Sequence, residues 1–514
     1  MSRRTLALLI FTLLVSIACH DRNNQNPSAR HVAEGFAKID EWALDPPADE
    51  ELVAGAMRGM VDVLRRRGDE HSRFLRPRRA QQLRDEISGE FGGVGVQIRM
   101  GGDPPRLIVA APPEPGLPAS GGGGRRGDWT QAIAGAATAD MTMDDVLEGM
   151  RGPEGDPVTL KIARGDAATP IDVELVREII RVPSIVGDRR LSDGSWEHLL
   201  VQDKRVALLR FRSFGDQTVK ELQDAVAELE GQGMRALVID LRDNPGGTLD
   251  AGVDACDLFL PRGAPIVETR GRDGRVRESF ASRNGQSISV PVAVLINRNS
   301  ASASEIVAAC LQDNGRAKVF GERSFGKGTV QRLEPIGAGR ATLKITFASF
   351  WRPSGDDIHR RPGVSEDEPW GVQPAAGDET TLSEEQHIAY QTWRRERDVV
   401  AIDEVAIDEV AGDTAATNGP ESGDKAPWSI GNADALGTAA EEEPKGGSAN
   451  AGSTAQPNAD EVAEDAPSPS EAAGQSQPLA KPPFVDRPLQ RAVEYLQSLI
   501  DSSAGSTNPL NPAA

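Results

Sequence analysis

Residues 291–331 read PVAVLINRNSASASEIVAACLQDNGRAKVFGERSFGKGTVQ, and this stretch decides the fold class. Residues 292–296 are apolar without a break, as expected of a strand covered on both faces. A polar turn follows in which serines alternate with alanines, and residues 302–312 then carry apolar side chains at helical spacing. A second short run, 318–321, completes a strand–helix–strand unit, and such alternation indicates a layered α/β core. The turn presents a serine hydroxyl at a helix N-terminus, where unpaired N–H groups and the helix dipole favour a developing negative charge. A serine there is ordinarily an N-cap. Lys327 gives the turn a second meaning. It sits between two glycines after Phe325 and Gly326, so backbone can close over its side chain and exclude water. A neutral lysine can serve as general base for a serine. That requires its pKa to fall from about 10.4 by roughly two to three units, a desolvation effect of about 3–4 kcal/mol.

Working outward, residues 206–211 and 236–241 read as further buried strands, with Val219, Leu222, Val226 and Leu229 on one face of the helix between them. DLRDNPGG, residues 240–247, leaves the second strand. Its Pro-Gly-Gly frees a tight turn with bare N–H groups facing a cavity. A helix over 249–260 follows, and 328–350 reads as a β-hairpin pair. Upstream, 30–88 is helical in pattern, broken at Gly68-Asp69. Residues 89–180 change to short β-type runs between Gly/Pro turns, with one helix behind Thr142.

The chain has 514 residues and a formal net charge of −21, concentrated in its acidic stretch. The balance excludes a nucleic-acid-tracking protein, which needs clustered Lys and Arg. Residues 397–480 are rich in Ala, Glu, Asp, Gly, Ser and Pro, without periodicity, and read as a disordered acidic linker. Beyond it, 484–503 rebuilds an amphipathic helix. At the other end, Arg3 and Arg4 precede an apolar run over 6–18 that is shorter than the roughly 20 residues of a membrane-spanning helix. With Ala18-Cys19 as its cleavage point, 1–19 reads as a signal peptide. The expected location is exported, periplasmic or cell-envelope. Cys19 either ends the signal or carries lipid as a membrane tether. Cys256 and Cys310 read as buried small hydrophobes rather than a disulfide. No Cys/His cluster has metal-ligand spacing, so no metal or cofactor is expected.

Across all its parts, SASASEIVAACLQDNGRAKVFGERSFGKGTVQ resembles the signature of C-terminal processing (tail-specific) peptidases. The resemblance covers roughly residues 45–375 and again 484–500, including DEHSRFLRP and WRPSGDDIHRRPGV. It implies that Ser302 is the nucleophile, Lys327 the base and Gln331 the group that orients the base. Asp313 matches a position implicated in some members, and otherwise reads as a helix C-terminal contact. The implied oxyanion donors are Gly246 or Gly247 and Ala303. GGVGV, residues 92–96, resembles the carboxylate-binding loop of PDZ domains, with Gly93, Val94, Gly95 and Val96 holding a substrate's C-terminal carboxylate. The family's apolar helix-and-turn here reads SGGGGRRGDWTQAIAG, with Thr130 replacing a hydrophobe, which implies looser packing of this domain.

The expected architecture is a helical segment over 20–88, an inserted β-rich PDZ domain over 89–180 and a crotonase/ClpP-like α/β peptidase core over 181–396. The expected partners are proteins or peptides with exposed C-termini. The expected reaction is serine endopeptidase hydrolysis. Two alternatives stay open on sequence alone: a non-catalytic binding protein of the same fold, and a signalling protease with a single membrane partner.

Overall fold

The computed structural model describes residues 26–101, 106–110, 116–164, 169–337, 339, 341–399 and 484–505. The signal-like segment with Cys19, and the acidic stretch from residue 400, lie outside the described residues.

Four parallel strands, Asp203–Phe211, Ala236–Asp240, Val292–Ile296 and Ala317–Gly321, form the centre of the molecule in that spatial order. Ile185–Val186 pairs antiparallel on the outer edge of the first. Successive residues of a strand point to opposite faces, and here each face has its own cover. Ala207, Leu209, Leu237, Ile239, Val294 and Ile296 pack on the side of helices Thr218–Gly231, Leu249–Asp257 and Ala303–Asp313. Leu208, Val238, Leu295 and Phe320 pack instead against Leu489, Val493, Leu496 and Ile500 of the helix Arg487–Gly505. Full burial of each of those four helix side chains contributes about 1.5–3 kcal/mol over exposure. The uninterrupted apolar runs in the sequence are thus the signature of a sheet sandwiched between two helical layers.

A second, antiparallel sheet stands beside this core. It joins Arg73–Leu75, Ala341–Trp351, Pro265–Gly271 and Val276–Ala281, with Thr329–Ile336 also paired to Ala341–Trp351. The pair at 265–281 is not foreseen from sequence, because its second strand is largely exposed and charged and lacks the apolar alternation that marks a half-buried strand. Arg73–Leu75, expected within a helical segment, is a strand for the same kind of reason. It is short, and its identity depends on its partner at 342–344.

The N-terminal segment otherwise forms helices Pro27–Trp42, Asp49–Arg65 and Pro77–Ser88. Residues 90–181 form a β-rich domain. Among the described residues six antiparallel strands, from Ile98–Gly101 to Ile171–Val176, enclose a core that includes Leu107, Ile133, Val146 and Leu160. The ribbon of Glu90–Gly93 with Glu178–Arg181 joins this domain to the rest. A two-turn helix, Met143–Met150, carries a reciprocal cap between Thr142 and Asp145. Within the glycine-rich stretch Gly122 is closely packed, where a side chain would meet Leu175 Cδ2 at 2.5 Å; Gly121, Gly123 and Gly127 have open space beside them. Arg164 Nε and Nη2 donate to Asp128, both at 2.8 Å, and tie the start of Trp129–Ile133 to the end of Pro157–Ala163.

Candidate active site

Ser302 stands one residue before the helix Ala303–Asp313 with φ 57° and ψ −116°, a conformation outside the regions favoured by L-residues. Such a residue stores about 1–3 kcal/mol of strain and persists only where its surroundings over-determine it. They do so here. The Ser302 N–H donates to Glu305 Oε2 at 2.8 Å, and Glu305 N–H donates to the Ser302 carbonyl at 2.9 Å. Ala301 N–H donates to the Asn244 carbonyl at 3.0 Å.

The turn of DLRDNPGG lies directly against this bend. Gly246 has φ 100°, and a Cβ there would sit 2.7 Å from Ser302 Cβ and 2.9 Å from Ala303 N. A Cβ on Gly247 would overlap the Phe214 carbonyl oxygen at 1.9 Å. Both glycines are therefore steric requirements. They differ as donors. The N–H of Gly246 is already engaged by Asn244 Oδ1 at 2.8 Å, so it is not free for an oxyanion. Among the described residues, the N–H groups of Gly247 and Ala303 have no acceptor, the latter because a helix's first N–H has no partner within the helix.

Lys327 is 4% exposed. Its two glycines allow this. A side chain at Gly326 would meet Arg360 and Trp370, and one at Gly328 would meet the His359 backbone at 2.2 Å. Burial, helped by the charge of Lys344, pulls the Lys327 amine down from 10.5 to about 7, while Glu305 opposes the shift. Lys344, on the paired strand Ala341–Trp351, is itself lowered to about 8 by burial.

Glu305 is the residue that sequence reading passes over. It is fully buried and accepts from Ser302 N and Lys327 N on Oε2, both at 2.8 Å, and from Gly326 N at 2.7 Å and Ser324 Oγ at 2.6 Å on Oε1. Burial raises its carboxyl to about 7 against these donors, which favour the anion. The S-x-x-E spacing of Ser302 and Glu305 is a capping-box pattern that could have flagged it. His71 is a second omission. It is half-buried beside Lys327 and Lys344, with Nδ1 lacking a hydrogen-bond partner, and desolvation, helped by those two charges, lowers it to about 4.

Gln331 is not joined to Lys327 by any hydrogen bond among the described residues. Its Nε2 donates to Thr329 Oγ1 at 2.9 Å and Thr346 Oγ1 at 3.3 Å, and Thr346 Oγ1 donates to Asp69 Oδ1 at 2.9 Å. The amide is drawn into a threonine–aspartate chain that braces the hairpin. Asp313 pairs with Arg352, whose Nε reaches Oδ2 at 2.9 Å, which ties the helix end to the second sheet. Cys256 and Cys310 are both free and buried. Among the described residues no group of three or more His, Cys, Asp or Glu is placed to hold a metal ion.

In the β-rich domain, the N–H groups of Val94, Gly95 and Val96 have no acceptor among the described residues. Gly93 ends the connecting ribbon, and Val94 is buried beneath the loop. Gly95 has φ 69° and abuts Leu117, where a Cβ would come within 2.7 Å. The loop opens onto Ile98–Gly101, an edge strand of its sheet, with Val96, Ile98 and Met100 partly buried against the domain core.

Residues 205–370 match peptidase family S41. A carboxy-terminal-processing protease of Bartonella bacilliformis is 34% identical over 69% of this chain and 77% of its own length. A carboxyl-terminal-processing protease of Synechocystis sp. is 35% identical over 64% of this chain and 73% of its own length. Among solved structures, a photosystem II D1 C-terminal processing protease aligns over 69% of this chain and 93% of its own, with 26% identity and a TM-score of 0.39.

Proposed function

As a member of the carboxy-terminal processing proteases, peptidase family S41, this chain is a serine-type peptidase, and we propose that it cuts with a Ser302/Lys327 dyad after its β-rich domain captures a substrate's C-terminal tail. The observation that carries this reading is the shared carboxylate: Glu305 Oε2 accepts the backbone N–H of both Ser302 and Lys327. The two proposed catalytic residues are thus held to one buried point.

Lys327, about half neutral near pH 7, takes the Ser302 Oγ proton as that oxygen attacks the scissile carbonyl carbon. The carbonyl oxygen becomes an oxyanion, and the N–H groups of Gly247 and Ala303 supply its hydrogen bonds. The C–N bond then breaks as Lys327 returns the proton to the leaving amine. The acyl group remains on Ser302. Water, deprotonated by the same amine, attacks the ester carbonyl; the acyl C–Oγ bond breaks as Lys327 returns that proton to Ser302 Oγ, and the acid is released.

The β-rich domain acts as a PDZ-type receptor in this reading. The N–H groups of residues 94–96 hold the terminal carboxylate, and the tail adds a strand to Ile98–Gly101. The signal-like residues 1–19 support export to the periplasm or envelope, with Cys19 as a candidate lipid anchor. Mass spectrometry of the mature N-terminus tests that point.

The test of the dyad is cleavage of an unfolded model protein with an apolar C-terminal tail by wild type, Ser302→Ala and Lys327→Ala. Wild type cuts, and both folded variants are inert. Cleavage by folded Ser302→Ala, or a wild type that binds tails without cutting from pH 6 to 10, refutes it.

A further inference from the structure

The turn that carries Gly247 is held from the far face of the sheet. Arg242, in the middle of DLRDNPGG, has a side chain only 3% exposed. Its Nε and Nη2 donate to Asp240 Oδ1 and Oδ2 at 2.9 and 2.7 Å. Its Nη1 and Nη2 also donate to Asp486 Oδ1 and Oδ2, each at 2.9 Å. Asp486 lies 244 positions away in sequence. It caps the C-terminal helix, accepting Leu489 N–H at 3.1 Å. The guanidinium lies 4.7 Å from the Tyr390 ring centroid. A forked, buried, charge-assisted pair of this kind fixes orientation as well as distance.

The neighbours of Arg242 transmit that orientation. Leu241 and Asn244 offer their carbonyls to the Ser300 hydroxyl at 2.8 Å, to Ala301 N–H at 3.0 Å and to the Ser304 hydroxyl at 3.0 Å. Gly246 offers its carbonyl to Phe214 N–H at 2.9 Å. Asp243, at φ 57°, is held by Asn297 Oδ1 on its N–H and by Asn297 and Asn299 on its carboxylate. Any rotation at residue 242 is therefore passed to the bend at Ser302 and to Gly247.

We propose that Asp486 is a positioning residue for the oxyanion-binding turn, acting through Arg242 to set the direction of the Gly247 N–H from the C-terminal helix. This rests on the Ser302/Lys327 reading above. Oxyanion donors work by pre-set direction, so a small displacement weakens the transition state while leaving ground-state binding in place.

The test uses the full chain and compares Asp486→Asn with Leu496→Ala. Asparagine retains the helix cap, removes the charge that meets Arg242 and replaces one of the two oxygens that accept from it. Leu496→Ala loosens the same helix from the sheet without touching the turn. The readouts are kcat, KM, thermal stability and inhibition by a peptide boronic acid, which forms a tetrahedral adduct on a serine. Expected for Asp486→Asn are a kcat lower by about tenfold or more, KM within about twofold, and boronate affinity lower by the same factor as kcat. Leu496→Ala is expected to keep kcat within about twofold despite a lower melting temperature. The proposal is overturned if Asp486→Asn keeps wild-type kcat, or if both variants lose kcat in step with stability. Should Asp486→Asn not fold, Asp486→Glu keeps the charge and lengthens its arm. A several-fold lower kcat then supports the proposal and an unchanged one overturns it. Ser302→Ala separates the two levels: if it still cleaves and binds the boronate, the underlying dyad reading has failed, whereas its silence alongside an unaffected Asp486→Asn sinks only the positioning role.

Discussion

Ser302 and Lys327 donate their backbone N–H groups to the same oxygen atom, Oε2 of Glu305, each at 2.8 Å. The carboxylate thereby fixes the bend before one helix relative to the entry of a hairpin in another sheet. Glu305→Gln presents an amide with one donor edge to four donors. One side must turn away, and a displacement near 1 Å costs about a hundredfold in rate. The expected outcome is a folded variant whose kcat/KM is lower by about that factor; circular dichroism and steady-state kinetics check it.

The pH dependence of kcat/KM reports the free enzyme's base. With Lys327 at about 7, the rate climbs with pH through a midpoint near 7 and levels above it, rather than continuing to rise toward 10.5. Lys344 carries positive charge that holds Lys327 down. Lys344→Met should move the midpoint upward, since the cation that disfavoured protonation is gone. A rate–pH profile for each protein decides this, and a downward or absent shift contradicts the assignment.

The same amine affects stability. Its folded value of about 7 lies below the ordinary 10.5, so the unfolded chain binds this proton more tightly. The destabilisation is complete below about pH 7, declines as pH rises from 7 to 10.5, and vanishes above. Lys327→Met should therefore melt at a higher temperature than wild type. The gain is on the order of 5 kcal/mol at pH 6 and much smaller at pH 10. Paired melts at the two pH values test the sign.

Gly246→Ala places a methyl within 2.7 Å of Ser302 Cβ at a backbone φ of 100°. The bend and its first N–H groups must shift, so kcat should fall at least about a hundredfold with KM much less affected. Active-site labelling with a fluorophosphonate, slowed in proportion, gives an independent reading.

For tail capture, Gly95→Ala adds a Cβ that overlaps Leu117 and forces φ 69° on an L-residue. The KM for a protein with a free apolar tail should rise by about tenfold more than the KM for the same substrate with an amidated tail. Equal changes for the two substrates would remove the loop from recognition.

Much of this was legible in the sequence because it is local. The central strands announce themselves as unbroken apolar runs, since both faces are covered. Ser302 and Lys327 stand out through the glycines and the helix start around them. What escaped depends on contacts between distant positions. Glu305 looks like an ordinary acid in a first helical turn, and only the fold brings Gly326 and Lys327 to it. Gly246 and Gly247 are equivalent on paper, and the Asn244 side chain distinguishes them by occupying one N–H. Gln331 is set by Thr346 and Asp69, from two other segments. The strand Val276–Ala281 is exposed enough to lack any burial pattern.

The helix Arg487–Gly505 packs on one face of the central sheet, yet it is encoded after residues 400–483. During synthesis, Leu208, Val238 and Leu295 emerge long before Leu496 does. The sheet therefore remains half-covered, with Arg242 lacking its second carboxylate, until translation has passed residue 486. A product cut short before residue 486 therefore lacks both the cover of this face and the carboxylate that meets Arg242.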